Sequence, residues 1–271
     1  MKFDSNRAWK EASAAVTANR EVLFAIAGVF ILLPSLAFGL LFPQPEAAAG
    51  MTGEQAANLL LAFYEESLPW MIPMAILQAV GSMALLTLFT DRTRPTVGEA
   101  IRQGAIGLLP YLVAQLLVGF AVSAIAMIVI GLGVATGLAA LSFVLVVGVI
   151  VFAVYALVKT SLVAPVVVVE GVRNPITALK RSWALTSGNS ARIAVFYVLL
   201  FFTFMVVIFI ASALIGIVAA VIAGAEGARI VNAVVSSTLG ATVTVYAVSV
   251  VAAVHRQLAG SSPEAVSATF D

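Results

Sequence analysis

The chain contains no cysteine. Disulfides, thiolate metal centres and cysteine nucleophiles are therefore excluded. It has one histidine, His255, which rules out multi-histidine metal sites and leaves little imidazole for acid–base chemistry. Charge is equally scarce: 10% of residues, against about 25% in soluble domains. A net charge of +1 provides no electrostatic footprint for nucleic acid. Gly131, Gly133 and Gly137 lie close together, but no lysine follows to hold a phosphate, so they are not a Walker-type loop. No cofactor, metal or nucleic-acid partner is expected.

What is abundant is apolar surface. Of the 271 residues, 62% are hydrophobic, which leaves too little polar surface to cover a water-facing globule. Charges delimit long apolar runs, and about 20 such residues span a bilayer core as a helix. The spacing predicts spans over residues 22–42, 70–89, 105–130, 138–157, 193–222 and 230–254. The stretch between Arg102 and Lys159 carries no charge and is long enough for two spans, divided at Gly131, Gly133, Thr136 and Gly137. Lipid offers no partner for free backbone groups, so these segments must be helical. None alternates as a β-barrel strand would. Ala47, Ala48 and Ala49 resemble a signal-cleavage site, but the preceding apolar run exceeds the usual h-region, so an uncleaved first span is expected. The expected fold is all-α: one membrane helix bundle over residues 1–271, with six spans and short interfacial helices.

Lysine and arginine collect on cytoplasmic loops. With the N-terminus inside, the inner segments hold Lys2, Arg7, Lys10, Arg20, Arg92, Arg94, Arg102, Lys159, Arg173, Lys180, Arg181, Arg192 and Arg256, which is 13 of the 14 basic residues. Only Arg229 falls outside. This bias predicts a cytoplasmic (inner) membrane with both termini cytoplasmic. The first outer loop is acidic, with Glu46, Glu54, Glu65 and Glu66, and its Ala56, Leu59, Leu60 and Phe63 recur at helical spacing. A short helix lying on the outer face is expected there.

Each inner segment that precedes a pair of spans holds a short amphipathic stretch. The first runs from Arg7 through Ala8, Trp9, Lys10, Ala12, Ala15 and Val16, with Asp4 or Ser5 as its cap. The second covers residues 95–103, where Thr96 and Glu99 have capping-box spacing. The third covers residues 175–185, with Asn174 and Pro175 suited to N-cap and first helical position. Ala8, Ala100 and Ala178 are separated by about 92 and then 78 residues. This suggests three units, each an interfacial helix and a two-span hairpin, in parallel orientation.

Few residues are candidates for a specific role. Lys159 is the one charge between Arg102 and Glu170. Near the inner end of its span, it is expected to snorkel to the headgroups. If the helix continues through Ser161 and Pro165, Lys159 and Glu170 lie on nearly the same face but about three turns apart, too far to pair directly, so each needs another partner. Ser236, Gly240 and Thr244 recur every four residues and predict a close helix-packing face, a pore lining being the alternative. Gln78 and Gln115 are expected among the interior contacts. Trp9, Trp70 and Trp183 fall at predicted membrane boundaries, as aromatic belts do. His255, beside Arg256 and without a sequence-adjacent acid, reads as a surface histidine. In the third amphipathic stretch, Ile176, Leu179 and Trp183 are expected on one face. Lys180 and Arg181 are expected largely opposite, so that Arg173, Lys180, Arg181 and Trp183 form a surface for lipid or a partner.

The stretch Glu170, Gly171, Val172, Arg173, Asn174, Pro175, followed by Ala178, Leu179, Lys180, Arg181, Ser182, Trp183, Ala184, Leu185, Thr186, Ser187, Gly188 and Asn189, resembles a segment shared by a broad group of bacterial multi-span proteins. That group includes the membrane domain of glycerophosphoryl diester phosphodiesterases and related six-span families. The stretch from Arg94, Pro95 and Thr96 to Leu109 and Pro110 is similar to the group's second segment. The detailed resemblance covers about twenty residues. In those phosphodiesterases a separate soluble barrel carries catalysis, and this sequence has no such barrel. The resemblance implies a membrane scaffold near lipid metabolism or envelope upkeep, not phosphodiesterase activity. The expected function is a non-enzymatic scaffold or accessory protein that binds membrane lipids, a second copy or another membrane protein. A small transporter or channel is the alternative.

Overall fold

The structure, a computed structural model, describes residues 2–43, 45, 50–90 and 95–260. Arg92, Arg94, Glu46 and Ala47, Ala48 and Ala49 lie outside the described residues. The fold is all-α, with no strand among the described residues. Six helices are long and apolar enough to cross a membrane, making this a multi-pass membrane protein.

An amphipathic helix α1 (Ser5–Ala18) comes first. Asp4 caps it by accepting from the Arg7 amide at 3.0 Å. It buries Ala8, Ala12 and Val16 at a four-residue spacing, the repeat that places side chains on one helix face. Spanning helix α2 (Arg20–Leu41) follows, widened into a π-turn over Gly28–Leu32. Helix α3 (Gly53–Thr90) runs for 38 residues and includes Pro69 and Pro73. Helix α4 (Val97–Ala135) runs for 39 residues from a complete capping box at Thr96 and Glu99. Helix α5 (Ala139–Thr160) is separated by a two-residue break from the short α6 (Val163–Val168). Helix α7 (Pro175–Thr186) follows, its Asn174 side chain accepting from the Ile176 and Thr177 amides. The last hairpin is α8 (Ser190–Gly224) and α9 (Glu226–Ala259).

Two expected short helices are merged into longer ones. The outer-loop stretch through Ala56, Leu59, Leu60 and Phe63 does not lie separately on the outer face; it is the first part of α3. The stretch at residues 95–103 is likewise the first turns of α4. Nothing at either junction stops a helix: Pro69 removes one hydrogen bond, a loss that membrane helices tolerate. At 1.5 Å per residue, α4 is about 58 Å long, well beyond the roughly 30 Å hydrocarbon core. The third amphipathic stretch does stay separate, because Gly188 adopts φ +79° after it and turns the chain before α8. Gly224, at φ 68° and ψ −174°, separates α8 from α9 in a conformation essentially confined to glycine.

The core gathers at one end of the bundle, here termed the collar. There α1, the first half of α2, the last turns of α3 and most of α9 share a cluster that includes Val16, Leu23, Ile26, Leu85, Leu86, Ala241 and Val245. A second cluster joins Phe3 and Ala12 to Leu162, Ile193, Val254 and Leu258. A third joins Ala114 to Val163, Val166 and Ala178. Ala8, Ala100 and Ala178, the three positions that set the sequence period, are all fully buried. Close helix approach within the collar occurs at Gly104, where an added Cβ would meet the Val80 carbonyl oxygen at 2.9 Å. At Gly81 an added Cβ would collide with Phe30.

Candidate functional site

The collar holds most of the polar chemistry, and α7 organises it. The α5–α6 break leaves the Lys159 carbonyl and Leu162 amide without helical partners. The hydroxyl of Ser182, fully buried on α7, donates to the first at 2.7 Å and accepts from the second at 3.2 Å. Backbone groups at membrane depth need such replacements. Thr186, also buried, continues this inward face.

Beside it, Glu170 in the α6–α7 loop receives two partners. Arg181 Nε of α7 donates to Oε2 at 2.8 Å, and His255 Nε2 of α9 lies 3.0 Å from Oε1. Burial pushes the Glu170 carboxyl up, but the hydrogen bonds from His255 and Arg181 outweigh it and hold the carboxyl below its ordinary value. An ionised Glu170 requires a proton on Nε2. His255 Nδ1 is buried without a hydrogen-bond partner among the described residues. The triangle is a structural clamp rather than a nucleophilic site: its third corner is a guanidinium, which keeps its proton.

His255 is therefore not a surface histidine. It is 3% exposed and paired across 85 residues of sequence, a separation that no local pattern reveals. Arg181, expected to face the leaflet, spends its Nε on Glu170 instead. Arg256 ties another corner, donating to the Phe89 carbonyl at 2.7 Å, one of the unpaired carbonyls that end α3. Its guanidinium also lies 3.8 Å from Glu11 of α1. The N-terminal segment is fastened by the Phe3 amide donating to Asn189 Oδ1 at 2.8 Å. Gln257 exchanges hydrogen bonds with the Asp4 backbone.

Lys159 does not end in open surroundings but is covered within the protein. It is 4% exposed, and Nζ donates to Ser187 Oγ at 3.2 Å. It lies 5.0 Å from the Trp183 ring centroid and 5.5 Å from that of Tyr155. The two rings meet edge-to-face at 87° and cover the ammonium. Lys159 and Glu170 have separate partners, but the break at Ser161 and Leu162 interrupts the continuous helix that a three-turn separation assumes.

The outward face of α7 differs from the expected one. Ile176 and Trp183 are exposed, but Lys180 is exposed with them rather than opposite. Successive residues turn by about 100° on a helix, which places Lys180 about 40° from Ile176 and about 60° from Trp183, on the same side of the helix, and turns Arg181 towards the loop. Arg173, just before the helix, is also exposed.

The expected packing face on the sixth span is displaced. Ser236 is exposed, and a Cβ added at Gly240 meets nothing within 4 Å. Thr244 bonds back to the Gly240 carbonyl at 2.8 Å. The buried small-residue face lies one position along, at Ser237, Ala241, Val245 and Ser249. A shift of one residue rotates the contact by about 100°. Ser236 and Asn232 instead line an open cleft of about 890 Å³, with Arg229, Phe209 and Ser212. Gln78 does bridge helices, donating to Ser35 at 3.0 Å, whereas Gln115 bonds within α4 to Tyr111.

Comparison of the chain with protein-family models, with curated proteins and with solved structures finds no match to any of them.

Proposed function

We propose that this chain is a non-enzymatic scaffold or accessory protein of a bacterial inner membrane, with both termini cytoplasmic, whose collar binds anionic lipid or a membrane-protein partner. The observation that carries this reading is the division of labour on α7. Its inward face and Arg181 are committed to holding the collar together, while Ile176, Lys180 and Trp183 remain exposed on one face beside Arg173. An aromatic, an aliphatic and a basic residue on one helix face, with a second basic residue just before the helix, suit the boundary of an anionic leaflet. The resemblance of the Glu170 to Asn189 stretch to the phosphodiesterase membrane domain supports a role near lipid metabolism or envelope upkeep.

Arg173→Gln with Lys180→Gln tests the reading. Each basic residue near an anionic surface contributes about 1 kcal/mol, so affinity for anionic lipid should fall by about thirtyfold and co-purified lipid with it, while melting temperature holds. Unchanged lipid and unchanged partners would remove the main support. Orientation should survive, because 11 of the 13 inner basic residues remain. An alkaline phosphatase fusion after Gly53 should be active and one after Asp271 inactive; the reverse would overturn the topology.

The cleft lined by Asn232, Ser236 and Arg229 favours a second reading, a small transporter or channel. Flux of solutes or ions into liposomes containing the purified protein, abolished by Ser236→Leu, would establish it over the scaffold.

A further inference from the structure

Lys159 has a feature that the collar's architecture does not require. Its ammonium is almost wholly covered, yet among the described residues no carboxylate oxygen lies within 4.0 Å of it. The nearest acid in sequence, Glu170, is already committed to Arg181 and His255. Buried charges are ordinarily paired. This one has a single neutral hydroxyl and two ring faces, although an ammonium carries three N–H donors.

The cover is thin. Trp183 is 48% exposed and Tyr155 is 42% exposed, so each ring has Lys159 on one side and the surroundings on the other. Ser187, which accepts from Nζ, is itself exposed and donates its own proton to the Trp183 carbonyl at 2.7 Å. A rotation of the Trp183 side chain would open Nζ to the outside without disturbing the buried face of α7. Ser187 precedes the start of spanning helix α8 at Ser190 by three positions, and tryptophan and tyrosine rings concentrate at the headgroup boundary. Exposed Lys180 and Arg192 lie on the flanking turns, so the local charge is positive.

We propose that Lys159, Ser187, Tyr155 and Trp183 form a binding site for the phosphate of an anionic phospholipid, with Trp183 as its movable cover. The phosphate oxygens accept from the Lys159 ammonium and from the Ser187 hydroxyl, which turns away from the Trp183 carbonyl. The Trp183 and Tyr155 rings then pack against the glycerol and the first acyl carbons. A phosphate group is the anion that a membrane boundary presents at the highest density. An anionic lipid is preferred over a zwitterionic one because a choline headgroup would bring a second cation into an already positive site. The proposal rests on the collar reading above but assigns the lipid to a covered cation rather than to the exposed face of α7.

The test uses the full chain, delipidated in detergent and titrated with phosphatidylglycerol, phosphatidylcholine or inorganic phosphate. Retained lipid is counted by native mass spectrometry, and Trp183 fluorescence is taken as the difference from Trp183→Phe. Wild type should retain phosphatidylglycerol over phosphatidylcholine. Lys159→Met should lose about tenfold in phosphatidylglycerol affinity, the effect of one charge-assisted hydrogen bond, so that the preference over phosphatidylcholine disappears. Lys159→Arg should keep the preference. Ser187→Ala alters an exposed hydroxyl and should fold in any case; it should reduce the preference by about threefold, because the bond to phosphate replaces the one the hydroxyl gives up at the Trp183 carbonyl. A Lys159→Met protein that folds and binds phosphatidylglycerol like wild type overturns the proposal. If that variant does not fold, an unchanged preference in Ser187→Ala overturns it. A Trp183 response to inorganic phosphate but not to phosphatidylglycerol overturns the assignment to lipid. If Arg173→Gln with Lys180→Gln loses lipid and Lys159→Met does not, the exposed face of α7 binds lipid and the Lys159 site does not. If neither loses lipid, both readings fail.

Discussion

The last two spans, α8 and α9, are joined by a single turn and differ sharply in what surrounds them. The most apolar window of α8 has 6% of its residues buried, whereas that of α9 has 44%. Helix α8 is apolar on all sides and exposes Val195, Phe201, Phe209, Ile217 and Val221. Helix α9 alternates small and hydroxyl residues and buries Ala241, Val245, Ser249, Ala252 and Val254. In lipid an exposed leucine or valine carries no penalty, so hydrophobicity alone does not bring helices together. What does so is backbone approach at small residues and polar groups that need partners. The same contrast divides the whole molecule: the collar is closely packed and cross-linked by hydrogen bonds, and much of α4, α5 and α8 beyond it presents apolar side chains outward.

The largest test of this contrast is a pair of glycine substitutions. Gly104→Leu should cost about 3 kcal/mol or more, since overpacking is expensive where backbones already meet. Gly240→Leu, with open space at its Cβ position, should leave the melting temperature in detergent unchanged. Equal effects would mean that α9 is packed on its Gly240 face as well.

Next in size is the polar clamp. Glu170→Gln should destabilise by about 1.5–3 kcal/mol, the range for hydrogen bonds to a charged group. The sign with pH follows from its lowered carboxyl. Stability from this group is complete above the ordinary glutamate value of 4.5 and is lost as pH falls through the lower folded value. Wild-type melting temperature should therefore drop more steeply below about pH 4.5 than that of Glu170→Gln. Parallel acid limbs would show that the clamp contributes nothing.

A smaller effect is expected at Arg256. Arg256→Gln removes the bond to the Phe89 carbonyl and the contact with Glu11, and should cost about 1–2 kcal/mol. Amide exchange should accelerate in α1 and the end of α3 and remain unchanged in α8. The smallest effect belongs to the outward surface: Val221→Leu, at 83% exposure, should change stability by less than about 0.5 kcal/mol. A larger change would place Val221 against another copy of the chain.

Span number, helical class and the caps of the amphipathic stretches were legible in the sequence. Each depends on neighbours within a few positions: runs of about 20 apolar residues, Asp4, the Thr96 and Glu99 box, and Asn174 before Pro175. Where helices stop was less legible. The merging of the outer-loop stretch into α3 and of residues 95–103 into α4 depends on whether anything interrupts hydrogen bonding, and periodicity does not report that.

The candidate site shows the limit most clearly. The sequence by itself determined that Lys159 lies near the end of an apolar span and that α7 is amphipathic and basic, because composition and spacing are local properties. Only the tertiary structure decided that Lys159 is covered by Tyr155 and Trp183, that Glu170 joins Arg181 to His255, and that α9 buries the face of Ser237 rather than that of Ser236. Each of these depends on the rotation of one helix against another. One residue of offset turns a helix face by about 100°, and in a chain this apolar the sequence offers little contrast between faces to set that rotation.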